Sequence, residues 1–208
     1  MDNLTLDILG LFACSPAQAL TIHKISKLLK RTYPFVHKKV NRLVEEGILQ
    51  RKIVGRAHEV LPNLKKEKTR LLFALNAQQQ KEKYLEKSAI RHILIEGVTK
   101  LRSNDHIQAM VLFGSYAKAR ETKKSDIDLL IIVDAKTREI DEYILSIINT
   151  LNMTFGCQIN ALVIDNLMFK EMLASKEELN VGKEALKSHI LLYGFEHFWA
   201  SVGEGLWH

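Results

Sequence analysis

The stretch 111–133, which reads VLFGSYAKARETKKSDIDLLIIV, has the clearest pattern of secondary structure in the sequence. Short apolar runs, Met110–Phe113 and Leu129–Val133, stand at its two ends. Runs without a polar break are typical of strands buried on both faces. The first run stops at Gly114–Ser115, and a polar, basic segment follows. The stretch therefore predicts a strand, a glycine turn, a basic loop and a second strand.

Two carboxylates begin the second strand. Asp126 and Asp128 are two residues apart, so their side chains leave the same face of the strand, whereas Ile127 points into the opposite layer. Neighbouring carboxylates repel each other unless a cation lies between them, and Mg²⁺ prefers oxygen ligands of this kind. The pair is predicted to hold magnesium.

The turn before the loop suits a phosphate group. Gly114 lets the backbone approach a ligand closely, and the amides that follow it, with the Ser115 hydroxyl, can donate to phosphate oxygens. The loop carries Lys118 and ends at Ser125, and both are included among the predicted nucleotide-binding residues. A phosphate site next to a magnesium site favours metal-assisted nucleotidyl transfer.

The spacing Gly114-Ser115, ten residues, then Asp126-Ile127-Asp128 resembles the signature of the minimal nucleotidyltransferases of the polymerase-beta-like superfamily. The resemblance implies that the two aspartates hold one or two Mg²⁺ ions and that the Gly-Ser pair contacts the phosphates of a nucleoside triphosphate, with ATP as the expected donor. Ala119 departs from the pattern, since the family commonly has glycine there. The smaller backbone freedom of alanine restricts this loop.

A third carboxylate usually stands on the next strand in this family. The predicted strand Gln158–Ile164 carries Asn160 at that position, so an amide oxygen replaces a charged ligand. Asp165 leaves by the opposite face and is interpreted as the cap of the following helix. The metal ligands predicted are therefore Asp126, Asp128 and Asn160, and the incomplete triad predicts weakened catalysis.

Positive charge is concentrated in the first third of the chain. Residues 1–70 contain 14 Lys or Arg and 6 Asp or Glu, a net charge of +8, whereas residues 71–208 contain 16 and 18, a net charge of −2. Such an imbalance favours an anionic partner for the first part, nucleic acid before membrane.

The first part of the chain reads as three helices and a hairpin. Thr21 and Thr32 are predicted to cap the second and third helices, and Gly47 to end the third. Residues 3–61 resemble winged helix-turn-helix domains, with strands predicted on both sides of Gly55-Arg56. The resemblance implies that the third helix enters the major groove of duplex DNA. The residues predicted to contact DNA are Lys38, Asn41, Arg42, Arg51, Lys52 and Arg56. A docking or dimerisation module is the alternative.

The predicted architecture is α/β (α+β): a winged helix-turn-helix domain at 1–63, a helical connector at 64–88, and a nucleotidyltransferase-like domain at 89–208 whose mixed sheet is flanked by helices. Cys14 and Cys157 show no zinc-ligand spacing and are expected to be buried. Without a basic signal region or a long apolar segment, the protein is expected to be cytoplasmic, with no membrane partner.

Two functions remain open at this point. The first is a DNA-binding, Mg²⁺-dependent nucleotidyltransferase that acts on a small molecule or a partner protein; the resemblance implies an antitoxin-like role towards a HEPN-type toxin as one possibility. The second is a transcriptional regulator whose weakened nucleotidyltransferase domain serves as a nucleotide sensor or dimerisation platform. A homodimer is compatible with either.

Overall fold

The computed structural model describes residues 3–54, 57–122, 124–176 and 180–207. The chain divides into two compact units, Met1–Asn76 and Ala77–His208, and the division falls inside one long helix. Within the described ranges, every helix is either too short or too polar to traverse a lipid bilayer.

The N-terminal unit combines helices with a small antiparallel sheet. Its elements are α1 (Asn3–Gly10), β1 (Leu20–Thr21), α2 (Ile22–Leu28), α3 (Tyr33–Glu45), β2 (Leu49–Val54), β3 (Ala57–Pro62) and the first part of α4 (Glu67–Lys87). The predicted cap of α2 is confirmed, because Thr21 Oγ1 accepts a hydrogen bond from the Lys24 backbone N–H. Helix α3 buries a stripe formed by Val36, Val40 and Leu43, which leaves its opposite side in solvent.

The small sheet has the strand order β1-β3-β2. Strands β2 and β3 form the predicted hairpin, in register from Leu49 opposite Pro62 to Val54 opposite Ala57. The predicted turn at Gly55–Arg56 lies outside the described residues. The two-residue strand β1 was not expected from sequence, because so short a segment shows no periodicity.

The C-terminal unit is built around a four-stranded mixed sheet with the order β6-β5-β4-β7. Strand β5 pairs antiparallel with β4 and parallel with β6, and β7 pairs antiparallel with β4. Besides the rest of α4, its elements are α5 (Arg91–Leu101), β4 (Ile107–Phe113), α6 (Gly114–Ala117), β5 (Ile127–Val133), α7 (Arg138–Phe155), β6 (Ile159–Asp165), α8 (Asn166–Ala174), α9 (Val181–Lys187), β7 (Ile190–Tyr193) and α10 (Phe195–Leu206). The predicted mixed α/β architecture is therefore present.

Helices cover both faces of this sheet. Helices α5 and α7 pack in one hydrophobic cluster with Leu129 and Ile131 of β5. Helices α8 and α10 pack on each other through Phe169 and Phe198, and both contact the central strands. Because side chains alternate along a strand, Asp128 leaves the face of β5 opposite to Leu129.

Two local predictions have clear outcomes. The Asp165 cap is confirmed: its Oδ1 accepts a hydrogen bond of 2.7 Å from the Met168 backbone N–H at the start of α8. The expectation of buried cysteines was wrong, since Cys14 is exposed and Cys157 is partly exposed. Cys14 ends the turn that follows α1, and it is exposed together with the next residue, Ser15.

Candidate active site

The antiparallel pairing of β4 and β5 brings the glycine turn to the carboxylates. Phe113, the last residue of β4, is the register partner of Asp128. Gly114 therefore begins the turn at the point where the Asp128 side chain leaves the sheet. Asp126 lies just before β5 and is exposed, whereas Asp128 is partly buried.

Gly114 is in direct contact with Asp128. Its φ of +68° is in the left-handed region, and a Cβ built on it would lie 2.1 Å from Asp128 Oδ2 and 3.0 Å from Asp128 Cγ. Only a residue without a side chain allows the carboxylate to lie against the turn in this way. The turn predicted to bind phosphate therefore lies against Asp128, one of the two carboxylates predicted to hold magnesium.

The parallel pairing of β5 and β6 adds Asn160 to this site. Asn160 is the register partner of Asp128. Its Nδ2 donates to Asp126 Oδ2 at 3.2 Å, and its Oδ1 accepts from Gln158 Nε2 at 3.3 Å. The amide nitrogen of Asn160, rather than its oxygen, therefore faces the acidic pair.

The donor set fits a hard divalent cation with few protein ligands. Asp126 and Asp128 supply carboxylate oxygens, which suit Mg²⁺, an ion that usually retains several waters and shares its remaining positions with substrate phosphates. Among the described residues, no group of three His, Cys, Asp or Glu side chains is placed to bind a metal. The site is therefore one of two carboxylates, with an amide at the third position.

The loop after the turn is held by its own hydrogen bonds. The backbone N–H of Arg120 donates to the Ser115 carbonyl at 3.0 Å, and Ser125 Oγ accepts from the Thr122 backbone N–H at 2.8 Å. Ala119 adopts a φ of +50°, so alanine occupies a left-handed position that glycine would take with less strain. Alanine in place of the glycine common at position 119 therefore strains the backbone of this loop.

Lys118 forms an ion pair with Glu184, a residue that the sequence analysis did not identify. Its Nζ lies 3.0 Å from Oε1 of Glu184 in α9, and both side chains are partly exposed. Nothing in the local sequence indicates this pair, because its members are 66 positions apart. The lysine predicted to bind nucleotide thus has a carboxylate partner in this structure.

A cleft extends from Asp128 along the edge strand β6. It has a volume of about 690 Å³, and Asp128, Gln158 and Asn160 line it. Leu145 of α7 and Leu162 of β6 also line it, and both are exposed large apolar side chains. The cleft can accommodate a second substrate beside the carboxylates.

The residues predicted to contact DNA lie on the N-terminal unit. Lys38 and Arg42 are exposed on α3, and Arg42 pairs with Glu46 at 3.0 Å. Arg51 of β2 donates to Asn41 Oδ1 at 3.0 Å, which joins the hairpin to α3. Lys52 is exposed on β2, and Arg56 lies outside the described residues.

Comparison with known proteins agrees with the geometry of the C-terminal unit. Residues 97–195, which hold the glycine turn, the acidic pair and Asn160, match the family described as "Polymerase beta, Nucleotidyltransferase". The chain belongs to this family of nucleotidyltransferases.

One relative is a protein of Methanocaldococcus jannaschii named "Putative protein adenylyltransferase". It is 30% identical over 99 residues, which are 48% of this chain and 93% of the relative. No solved structure matches the chain.

Proposed function

We propose that the C-terminal unit transfers the adenosine monophosphate group of ATP to a hydroxyl group of a protein. The observation that carries this proposal is the contact between Gly114 and Asp128, which supports a site where a turn suited to phosphate lies against a carboxylate. The name of the M. jannaschii relative supports a protein acceptor. The cleft beside β6 provides space for the segment that presents the hydroxyl group.

Four residues of the site have roles in the proposed reaction. Asp126 and Asp128 would hold Mg²⁺, which supplies charge neutralisation for the triphosphate when bound. The Gly114–Ser115 turn orients the phosphates, with Ser115 donating a hydrogen bond. The acceptor oxygen forms a bond to the α-phosphorus, pyrophosphate leaves with the electrons of the broken bond, and the hydroxyl proton is released to water.

Transfer of label from α-³²P-ATP tests the proposal. We expect the full chain, incubated with Mg²⁺ and a panel of acceptor proteins, to label one of them, and Asp126→Asn and Asp128→Asn to lose this labelling. Asp134→Asn is the matched control, because Asp134 follows the other end of β5, where it pairs with His106 at 2.9 Å. Labelling that persists in both site variants would refute the assignment.

A second function, nucleotide sensing, is favoured by Asn160. This side chain adds no negative charge and donates its N–H to Asp126. A sensor would bind ATP with Mg²⁺ in calorimetry without releasing pyrophosphate. If the missing carboxylate limits catalysis, we expect Asn160→Asp to increase the transfer of AMP. If both the wild-type chain and Asn160→Asp bind ATP but neither transfers AMP, the result favours a nucleotide sensor.

We further propose that the N-terminal unit, predicted as residues 1–63, is a winged helix-turn-helix domain that binds duplex DNA, joined through a connector to the nucleotidyltransferase-like domain. Support comes from the order of helices and hairpin, the exposed cations of α3 and the net charge of +8 in residues 1–70. Lys38→Glu combined with Arg42→Glu should abolish salt-sensitive DNA binding, measured by fluorescence anisotropy at two salt concentrations. Unchanged affinity would favour a docking module.

A further inference from the structure

A cavity of about 370 Å³ lies within the N-terminal unit, between α2, α3 and the β2–β3 hairpin. Its wall includes three histidines, one from each side: His23 of α2, His37 of α3 and His58 of β3. Among the described residues, no three His, Cys, Asp or Glu side chains are placed to ligate a metal, so these histidines do not form a metal centre.

A chain of contacts orders the polar side chains of this wall. Arg51 Nη2 donates to Asn41 Oδ1 at 3.0 Å, and Asn41 Nδ2 lies 3.3 Å from the His37 ring nitrogens. Tyr33 stacks on His37 with ring centroids 5.6 Å apart and an interplanar angle of 29°. The bond to Asn41 uses one of the five N–H donors of the Arg51 guanidinium and orients the rest of the group.

The register of the hairpin determines from which of its two faces each charged side chain projects. Arg51 is opposite Val60, and Ile53 is opposite His58, so the side chains of Arg51 and His58 leave the same face of the hairpin. Glu59, whose register partner is Lys52, projects from the other face. The ionisable residues that border the cavity are the permanent cation Arg51, the three histidines, Tyr33 and Glu59, whose side chain leaves the face of the hairpin opposite to that of His58.

We propose that this cavity binds a phosphate group, and that the base next to that phosphate stacks on Tyr33 when, as in a free nucleotide, it is not paired. Arginine and protonated imidazoles donate to the several acceptor oxygens of a phosphate, and an exposed tyrosine ring is a platform for a flat base. Tyr33 is 47% exposed, which leaves ring surface available beside His37. The phosphate belongs either to a DNA strand or to a free nucleotide. If the phosphate belongs to DNA, the inference rests on the DNA-binding role proposed above. If it belongs to a free nucleotide, the inference is independent of that role.

Two probes distinguish these sources in the full chain carrying Asp126→Asn and Asp128→Asn, with EDTA present to silence the other nucleotide site. The first probe is a fluorescein-labelled duplex of arbitrary sequence, followed by anisotropy. The second is adenosine monophosphate, followed by the NMR signals of the histidine ring C–H groups. Both are measured at pH 8.0 and pH 5.5, because histidine protonates between these values.

We expect affinity for at least one probe to rise about tenfold on acidification, the size of one or two charge-assisted hydrogen bonds. Replacing all three cavity histidines by glutamine should remove this rise, and Arg51→Gln should weaken binding at both pH values. His92→Gln combined with His197→Gln is the control, since both residues are exposed in the C-terminal unit.

Each outcome is decisive. A cavity-dependent response to the duplex alone identifies a backbone phosphate, and a response to the mononucleotide alone identifies a small-molecule ligand. The cavity proposal would be overturned by two results together: DNA binding that is unaffected by the histidine and Arg51 variants, and a mononucleotide that does not shift the NMR signals of the cavity histidines. The proposal that the N-terminal unit binds DNA would still stand in that case. Circular dichroism of each variant checks that the unit remains folded.

Discussion

Replacing Gly114 by alanine tests the contact on which the proposed active site depends. The new Cβ would lie 2.1 Å from Asp128 Oδ2, so the carboxylate or the turn must move. The φ of +68° adds strain for any residue with a side chain. Left-handed backbone costs about 1–2 kcal/mol for such a residue, and overpacking costs about 1–3 kcal/mol more. We therefore expect Gly114→Ala to lower the free energy of unfolding by about 2–5 kcal/mol.

Gly156→Ala is the matched control. Gly156 has a φ of +60°, and a Cβ built on it meets no atom within 4 Å, so this variant introduces the backbone strain without the clash. It should cost about 1–2 kcal/mol. The effect of alanine on the unfolded chain is common to both variants and cancels in the difference.

Urea unfolding followed by tryptophan fluorescence measures both variants. The two tryptophans of the chain, Trp199 and Trp207, lie in the C-terminal unit, so the signal reports that unit. Calorimetry with ATP and Mg²⁺ then measures binding. We expect Gly114→Ala to lose binding and Gly156→Ala to retain it. Equal stability losses, together with normal binding by Gly114→Ala, would refute the argument that the turn and the carboxylate form one surface.

Three further predictions concern the same unit. Ala119→Gly should stabilise it by up to about 1 kcal/mol in urea unfolding, because the residue at 119 has a φ of +50°; a loss of stability would contradict the assigned strain. Glu184→Gln should release Lys118 and raise ATP affinity up to about fivefold in calorimetry, while stability changes by less than about 1 kcal/mol, the range for exposed ion pairs. Burial lowers the pKa of His189, which packs against Phe198 and Trp199. The unfolded chain therefore binds more protons than the folded chain once the pH falls below about 6.5, and the free energy of unfolding should decrease from that pH downwards. His189→Phe should flatten this dependence in urea titrations at several pH values, and an unchanged slope would assign it to other groups.

Sequence reasoning succeeded where the determinant was local. Thr21 and Asp165 cap α2 and α8 through backbone groups three residues away, and helix capping depends on that short-range geometry. The buried stripe of α3 follows from the 3.6-residue period of its apolar side chains. The Gly-Ser and Asp-x-Asp spacing likewise located the family before any fold was known.

Tertiary structure alone decided how the distant parts of the site meet. The registers of β4 on β5 and of β5 on β6 set Gly114 against the Asp128 carboxylate and Asn160 beside Asp126. The pairing of Lys118 with Glu184 depends on where α9 packs. Such contacts join residues 14 to 66 positions apart in the sequence, so they depend on how the strands pair and how the helices pack on the sheet. Helix caps and apolar stripes, in contrast, depend on residues that are close together in the sequence.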